Sequence, residues 1–100
     1  MVNITSGQLA ELINSQTPIQ LVDVRELHEH SQFNIGGLLI PLSSITKQIE
    51  QVSKTIPVVV YCEKGIRSHI AIQRLENKFP FENLFNLSGG MDEWKKYLAK

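Results

Sequence analysis

The sequence predicts an α/β fold, with a mainly parallel central sheet and helices on both faces. Two patterns predict it. Apolar runs of strand type alternate with segments of helical periodicity along the whole chain, and such alternation builds parallel sheets covered on both sides. Two of those runs end in reactive or charged clusters, Asp23-Val24-Arg25-Glu26 and the segment opened by Cys62. Sites in sheets of this kind lie beyond the carboxyl ends of strands.

Each element has a local reason. Thr5-Ser6-Gly7-Gln8 reads as a capping box, with Thr5 as N-cap, Gln8 three residues on, and Ile4 and Leu9 placed as a hydrophobic staple. Leu9, Leu12 and Ile13 give the following helix its apolar face. Pro18 breaks the chain, and residues 19–25 read as a buried strand ending in charge. Glu26 to about Gln32 suits a short helix. Gly36-Gly37 is a turn, and Leu38 to Leu42 is a short strand that Pro41 restricts to an edge or an end. From about Ser43, Ile45, Ile49 and Val52 share one helical face. Val58–Tyr61 is a strand. A helix from about Arg67 to Lys78 turns Ile70, Ala71 and Leu75 inward, and Pro80 stops it. Leu84–Leu87 is the last strand, Gly89-Gly90 a break, and Met91 to Leu98 a closing helix with Met91, Trp94 and Leu98 on one face. Trp94 and Phe79 read as core.

Length and composition limit the function. One hundred residues, 42% of them hydrophobic, suit one soluble domain over residues 1–100. Ten basic and ten acidic residues cancel, and no basic block exceeds Lys95-Lys96, so neither nucleic acid nor a membrane is expected as partner. No run approaches the ~20 apolar residues that span a bilayer. The N-terminal residues carry no basic, apolar leader pattern, and a lone cysteine suits a reducing compartment, so the expected location is cytoplasmic. His28, His30 and His69 are not spaced with cysteine or carboxylates as a metal site, and none is expected.

Cys62 is the only cysteine. It follows the apolar run Pro57-Val58-Val59-Val60-Tyr61 and opens the loop Cys62-Glu63-Lys64-Gly65-Ile66-Arg67-Ser68. Taken alone, a cysteine beside a strand is most often a small buried hydrophobe. Here backbone amides and then a helix N-terminus follow it, and both favour a thiolate.

Four segments, in order and spread over nearly the whole chain, together resemble a rhodanese-type sulfurtransferase of the small single-domain kind. They are Leu21-Val22-Asp23-Val24-Arg25-Glu26, then residues 34–42, then Val60 to Ser68, and Asn86-Leu87-Ser88-Gly89-Gly90-Met91-Asp92-Glu93-Trp94. The resemblance implies a three-layer rhodanese-like fold. It also implies a cycle in which the cysteine takes a sulfane sulfur from a donor, becomes a persulfide, and passes the sulfur to a thiophilic acceptor. The donor would be thiosulfate, polysulfide, a small persulfide or a persulfidated protein, and the acceptor a thiol or cyanide. No cofactor is required.

On this reading Cys62 is the nucleophile. The amides of Glu63, Lys64, Gly65 and Ile66 form an anion nest, in which Gly65 takes a conformation closed to other residues. Arg67 closes the loop and stabilises the thiolate and the donor's charge. Lys64 either attracts anions at the rim or is simply solvated. Arg25 is placed near the pocket. Asp23 fits a structural ion pair with Arg25 or Arg67 better than direct catalysis. Ser68 either caps the helix, the preferred reading, or donates to the thiolate. Glu26 and Glu29 read as helix-start charges. Glu63 puts a negative charge beside the nucleophile, which should disfavour dianionic thiosulfate and favour a persulfide or polysulfide donor.

Two rivals remain. A cysteine phosphatase also uses a Cys…Arg loop, but one residue longer than the four that separate Cys62 from Arg67, and no acid for the leaving alcohol is evident. A non-catalytic binding or regulatory module is the other. Such modules typically lose the cysteine, which is present here.

Overall fold

The computed structural model describes residues 1–100. Five strands form one parallel sheet: β1 Val2–Ile4, β2 Gln20–Asp23, β3 Leu38–Leu39, β4 Val58–Tyr61 and β5 Leu84–Leu87, in the order β1-β5-β4-β2-β3. Four α-helices intervene: α1 Ser6–Asn14, α2 Leu27–Gln32, α3 Ile66–Lys78 and α4 Gly90–Leu98. The fold is α/β and rhodanese-like, as the sequence predicts.

Strand β4 organises it. All four of its residues are buried, because strands lie on both sides of it and helices cover both faces. Its alternation divides the core. Val58 and Val60 point to one face, where Val22, Val24, Ile72, Leu75 and Leu84 pack with them. Val59 and Tyr61 point to the other, against Leu9, Leu87, Met91 and Trp94. Helix α3 therefore covers one face, and α1 with α4 covers the opposite one. Continuing the alternation puts Cys62, the first residue beyond β4, on the α3 face.

Local signals hold where the chain supplies a hydrogen-bonding reason. The Thr5 side chain accepts from the Gln8 amide at 3.1 Å, and the Gln8 side chain accepts from the Thr5 amide at 2.9 Å, closing the capping box that starts α1.

Several expectations need correction. Strand β1 was not expected. Only Ile4 of its three residues is buried, so it has no apolar run; it exists because it pairs with β5 in the register Val2↔Phe85 to Ile4↔Leu87. The helix expected from Ser43 is two short 3₁₀ turns, Leu42–Ser44 and Ile49–Gln51. Serine and β-branched residues dominate that stretch and support a helix weakly, although Ile45 and Val52 still reach the core. Ile13 and Leu98 are exposed, because α1 and α4 bury only the narrow stripes through Leu9 and through Met91 and Trp94. Phe79 is not core. It lies 38% exposed at the end of α3, and its neighbour Phe81 fills the core place, edge-on to it with ring centroids 5.0 Å apart.

Candidate active site

The segment between β4 and α3 is short, and three sets of contacts shape it. Gly65 takes φ +93°, which reverses the chain after Lys64 and starts α3 directly behind the sulfur. The Gly65 amide donates to Cys62 Sγ at 3.1 Å, and the Ser68 amide donates at 3.3 Å. The Ser68 hydroxyl lies 3.4 Å from the same sulfur and donates to the Asn86 side-chain oxygen. Asn86, on β5, in turn donates to Asn3 Oδ1 at 3.1 Å. Ser68 therefore does not cap the helix. Its hydroxyl joins Cys62 to a buried polar chain.

The third set comes from α4. The Met91 amide donates to the Cys62 carbonyl at 2.9 Å, and the Asp92 amide donates to the Glu63 carbonyl at 3.0 Å. The first turn of α4 thus satisfies two of its orphan N–H groups on the backbone of the Cys62 loop. Gly90 permits this approach. A Cβ there would stand 2.4 Å from the Cys62 carbonyl oxygen, and its φ is +56°. This contact is the physical content of the Gly-Gly-Met segment. With both carbonyls turned toward α4, the amides of Glu63, Lys64, Ile66 and Arg67 find no acceptor within the protein.

Cys62 is 1% exposed and forms the floor of a cavity of about 340 Å³ lined by Glu63, Lys64, Ile66 and Arg67. Two larger depressions, of about 520 and 470 Å³, lie elsewhere and contain no nucleophile. One is lined by Thr46, Lys47, Glu50 and Phe79, the other by Thr5, Ser88 and Lys100. The chemistry available to a thiol locates the site better than cavity size does.

Arg25 does not line the cavity. It is 1% exposed, and four of the five N–H groups of its head are engaged. Nε and NH2 bond Asp23, NH1 meets Glu63 Oε1 at 3.1 Å, and NH2 donates to the Phe33 carbonyl at 2.6 Å. Burial works against its charge, but Asp23 and Glu63 outweigh it and hold the guanidinium above its ordinary pKa. Asp23, 0% exposed, also accepts from the Arg25 amide at 2.9 Å and lies 2.8 Å from His30 Nδ1. The pair is the structural one expected for Asp23, with Arg25 as partner. Through Arg25 it tethers the side chain of the residue next to the nucleophile. Glu63 is further offset by Lys95, 3.7 Å from its other oxygen.

Glu29 is not a plain helix-start charge. Both of its oxygens receive Arg67, from NH1 and NH2, each at 2.8 Å. The Arg67 hydrogen bond holds the Glu29 carboxyl down at about 2, against an opposing effect of burial. Arg67 is correspondingly raised, chiefly by Glu29, with smaller contributions from the charges of Cys62 and Asp23. Lys64 is exposed at the rim, and Ile66 is 67% exposed. His69 is exposed on α3.

Sequence reasoning did not find Glu29, His30 or Asn86. Glu29 and His30 sit on a short helix that buries no residue, and Asn86 is one polar residue inside a strand pattern. Nothing in the local sequence marks them. The parallel order β5-β4-β2 brings them to Cys62.

Comparison with known proteins agrees with this architecture. The Rhodanese-like domain family profile matches residues 5–97, and the chain belongs to that family. A crystal structure of a rhodanese-like domain protein from Staphylococcus aureus superposes with a TM-score of 0.84 at 28% identity, over 94% of this chain and 91% of that one. The adenylyltransferase and sulfurtransferase MOCS3 of Drosophila willistoni is 30% identical over 79% of this chain and 19% of its own length. YrkF of Bacillus subtilis, named as a candidate sulfur carrier protein, is 28% identical over 82% of this chain and 44% of its own length. The chain thus spans less than half the length of these two curated relatives. No helix is long and apolar enough to cross a membrane.

Proposed function

We propose that the chain is a sulfurtransferase, one domain over residues 1–100, in which Cys62 carries the transferred sulfur as a persulfide. The observation that carries this reading is the cradle of the Cys62 sulfur, which accepts from the Gly65 and Ser68 amides at the floor of a small cavity. The thiolate is the attacking species in such a step, and both amides are placed within hydrogen-bond distance of its sulfur. Attack on the sulfane sulfur of a donor forms one S–S bond and breaks another, and the donor's remainder leaves with the electron pair. The amides of Glu63, Lys64, Ile66 and Arg67 are the donors an incoming sulfur group would use, and Lys64 supplies positive charge at the rim, where Arg67 is paired with Glu29. Asp23 and Arg25 act indirectly by fixing Glu63. A thiol or cyanide then accepts the sulfur, and no cofactor enters the cycle. The chain has a single cysteine, so the persulfide must be discharged by another molecule. Action in the cytoplasm fits a lone cysteine that must stay reduced.

Intact mass decides the matter. Reduced protein incubated with a sulfane donor and freed of it should gain one sulfur, lose it to cyanide or thiol, and gain none in Cys62→Ser. No gain with thiosulfate, polysulfide or glutathione persulfide, in folded protein, would sink the reading and favour a binding module.

A further inference from the structure

Glu63 lines the Cys62 cavity, and two further carboxylates, Asp23 and Glu29, pair with the arginines of the site. Asp23 and Glu63 share the buried Arg25, and Glu63 also meets Lys95. Glu29 takes Arg67 in a two-pronged pair. Arg25 does not line the cavity, and Asp23, Glu63 and the Phe33 carbonyl take four of its five N–H groups. Arg67 lines the cavity, but its charge is offset at contact distance. Exposed Lys64 is the one cavity-lining cation with no carboxylate partner. Opposite it stands the thiolate itself. A donor bearing two negative charges would leave water for a site offering almost no net positive charge. Desolvating an ion is repaid only by well-placed opposite charge.

Resting on the sulfurtransferase reading, we propose that Glu29 determines donor selectivity. By holding Arg67 in a bidentate ion pair it withholds the guanidinium from dianionic donors such as thiosulfate, and so favours donors whose sulfane sulfur is carried on a thiol, R–S–SH. The step then needs no second strong cation. The Cys62 thiolate attacks the terminal sulfur, a bond forms between the two sulfurs, and the donor's own S–S bond breaks with its electron pair leaving on R–S⁻. The proton stays on the transferred sulfur, and no outside oxidant or reductant is consumed. The exposed, apolar Ile66 at the rim suits the methylene that bears the donor's sulfur better than an oxyanion.

The position of Glu29 makes a clean variant available. Besides Arg67, its Oε1 accepts from the Glu26 amide at 3.0 Å, a helix-start contact that Gln keeps with its own carbonyl oxygen. Glu29→Gln therefore removes the charge and spares the start of α2.

The test measures second-order rates of persulfide formation on Cys62, by acid quench and intact mass, with thiosulfate and with glutathione persulfide. Wild type should load faster from glutathione persulfide. Glu29→Gln should raise the ratio of thiosulfate to glutathione persulfide rates by about tenfold, the scale of one unit charge released at a half-exposed site. Glu29→Ala should move it the same way, which separates charge from any packing effect of Gln. Glu63→Gln, whose charge is already shared by Arg25 and Lys95, should move it less. A wild type that prefers thiosulfate, a ratio altered by less than about twofold in both Glu29 variants, or a larger shift in Glu63→Gln overturns the selectivity role alone. Failure of wild type to load from either donor overturns the sulfurtransferase reading and takes the selectivity with it.

Discussion

Ser68 stands between Cys62 and Asn86: its hydroxyl lies 3.4 Å from the sulfur and donates to the Asn86 side-chain oxygen, while its amide donates to the sulfur at 3.3 Å. Both groups are buried, so the hydroxyl has no water to replace either partner. Ser68→Ala should strand the Asn86 oxygen at a cost of about 1–3 kcal/mol. It should also speed alkylation of Cys62 by iodoacetamide, because the hydroxyl gives its one proton to Asn86 and can meet the sulfur only by accepting from S–H. Urea unfolding and the alkylation rate check the two effects separately. Unchanged values in both would show that the chain from Asn3 to Cys62 matters to neither.

The Gly90 contact gives a sharper test. Gly90→Ala pushes a methyl group into the Cys62 carbonyl at a backbone angle that L-residues rarely adopt. The expected loss is about 1–3 kcal/mol for the strained conformation, with persulfide loading reduced further than stability explains. The comparison is loading rate against urea midpoint, for this variant and for a surface variant of matched stability. If the two load alike, α4 has no hold on the loop.

Breaking the buried Asp23–Arg25 pair should be severe. Asp23→Asn leaves a guanidinium that is 1% exposed without its main counter-charge. Removal of one partner from such a pair costs about 3–5 kcal/mol. Chemical unfolding measures this. A loss below about 1 kcal/mol, the scale of an exposed pair, would mean that Glu63 alone holds Arg25.

The Glu29–Arg67 pair predicts an acid-side loss of stability. The Glu29 carboxyl titrates at about 2 in the folded chain, below its unfolded value, so the folded state favours the ionised form. Its contribution is complete above the unfolded carboxyl range and is lost as pH falls toward about 2. Melting temperatures of wild type should drop over that interval more steeply than those of Glu29→Gln. Parallel curves would refute the assignment.

The sheet and the Cys62 loop were legible because their signals are local. Val58–Tyr61 is a continuous apolar run, and Cys62, Gly65 and Arg67 follow it at fixed spacing. The partners of those residues were not legible. Glu29 reaches Arg67 across 38 positions, and Asn86 reaches Ser68 across 18. Both contacts depend on strand order, which periodicity does not encode. The same cause hid β1, whose strand character comes from the exposed edge of β5. At residues 43–52 the failure was different. The apolar spacing was sound, since Ile45 and Val52 are buried, but it was read as a continuous helix where serine and β-branched residues yield only 3₁₀ turns.

The docking of α4 onto the Cys62 loop also bears on how the site comes into being. Every cavity-lining side chain lies between residues 62 and 67, so the pocket looks like the work of one short peptide. Yet its carbonyls are fixed by amides at positions 91 and 92, on an element packed against the opposite face of the sheet. The loop is thus a rivet through the sheet, seated only when both helical layers are in place. A chain lacking either helical layer would hold the cysteine without the contacts that fix its loop.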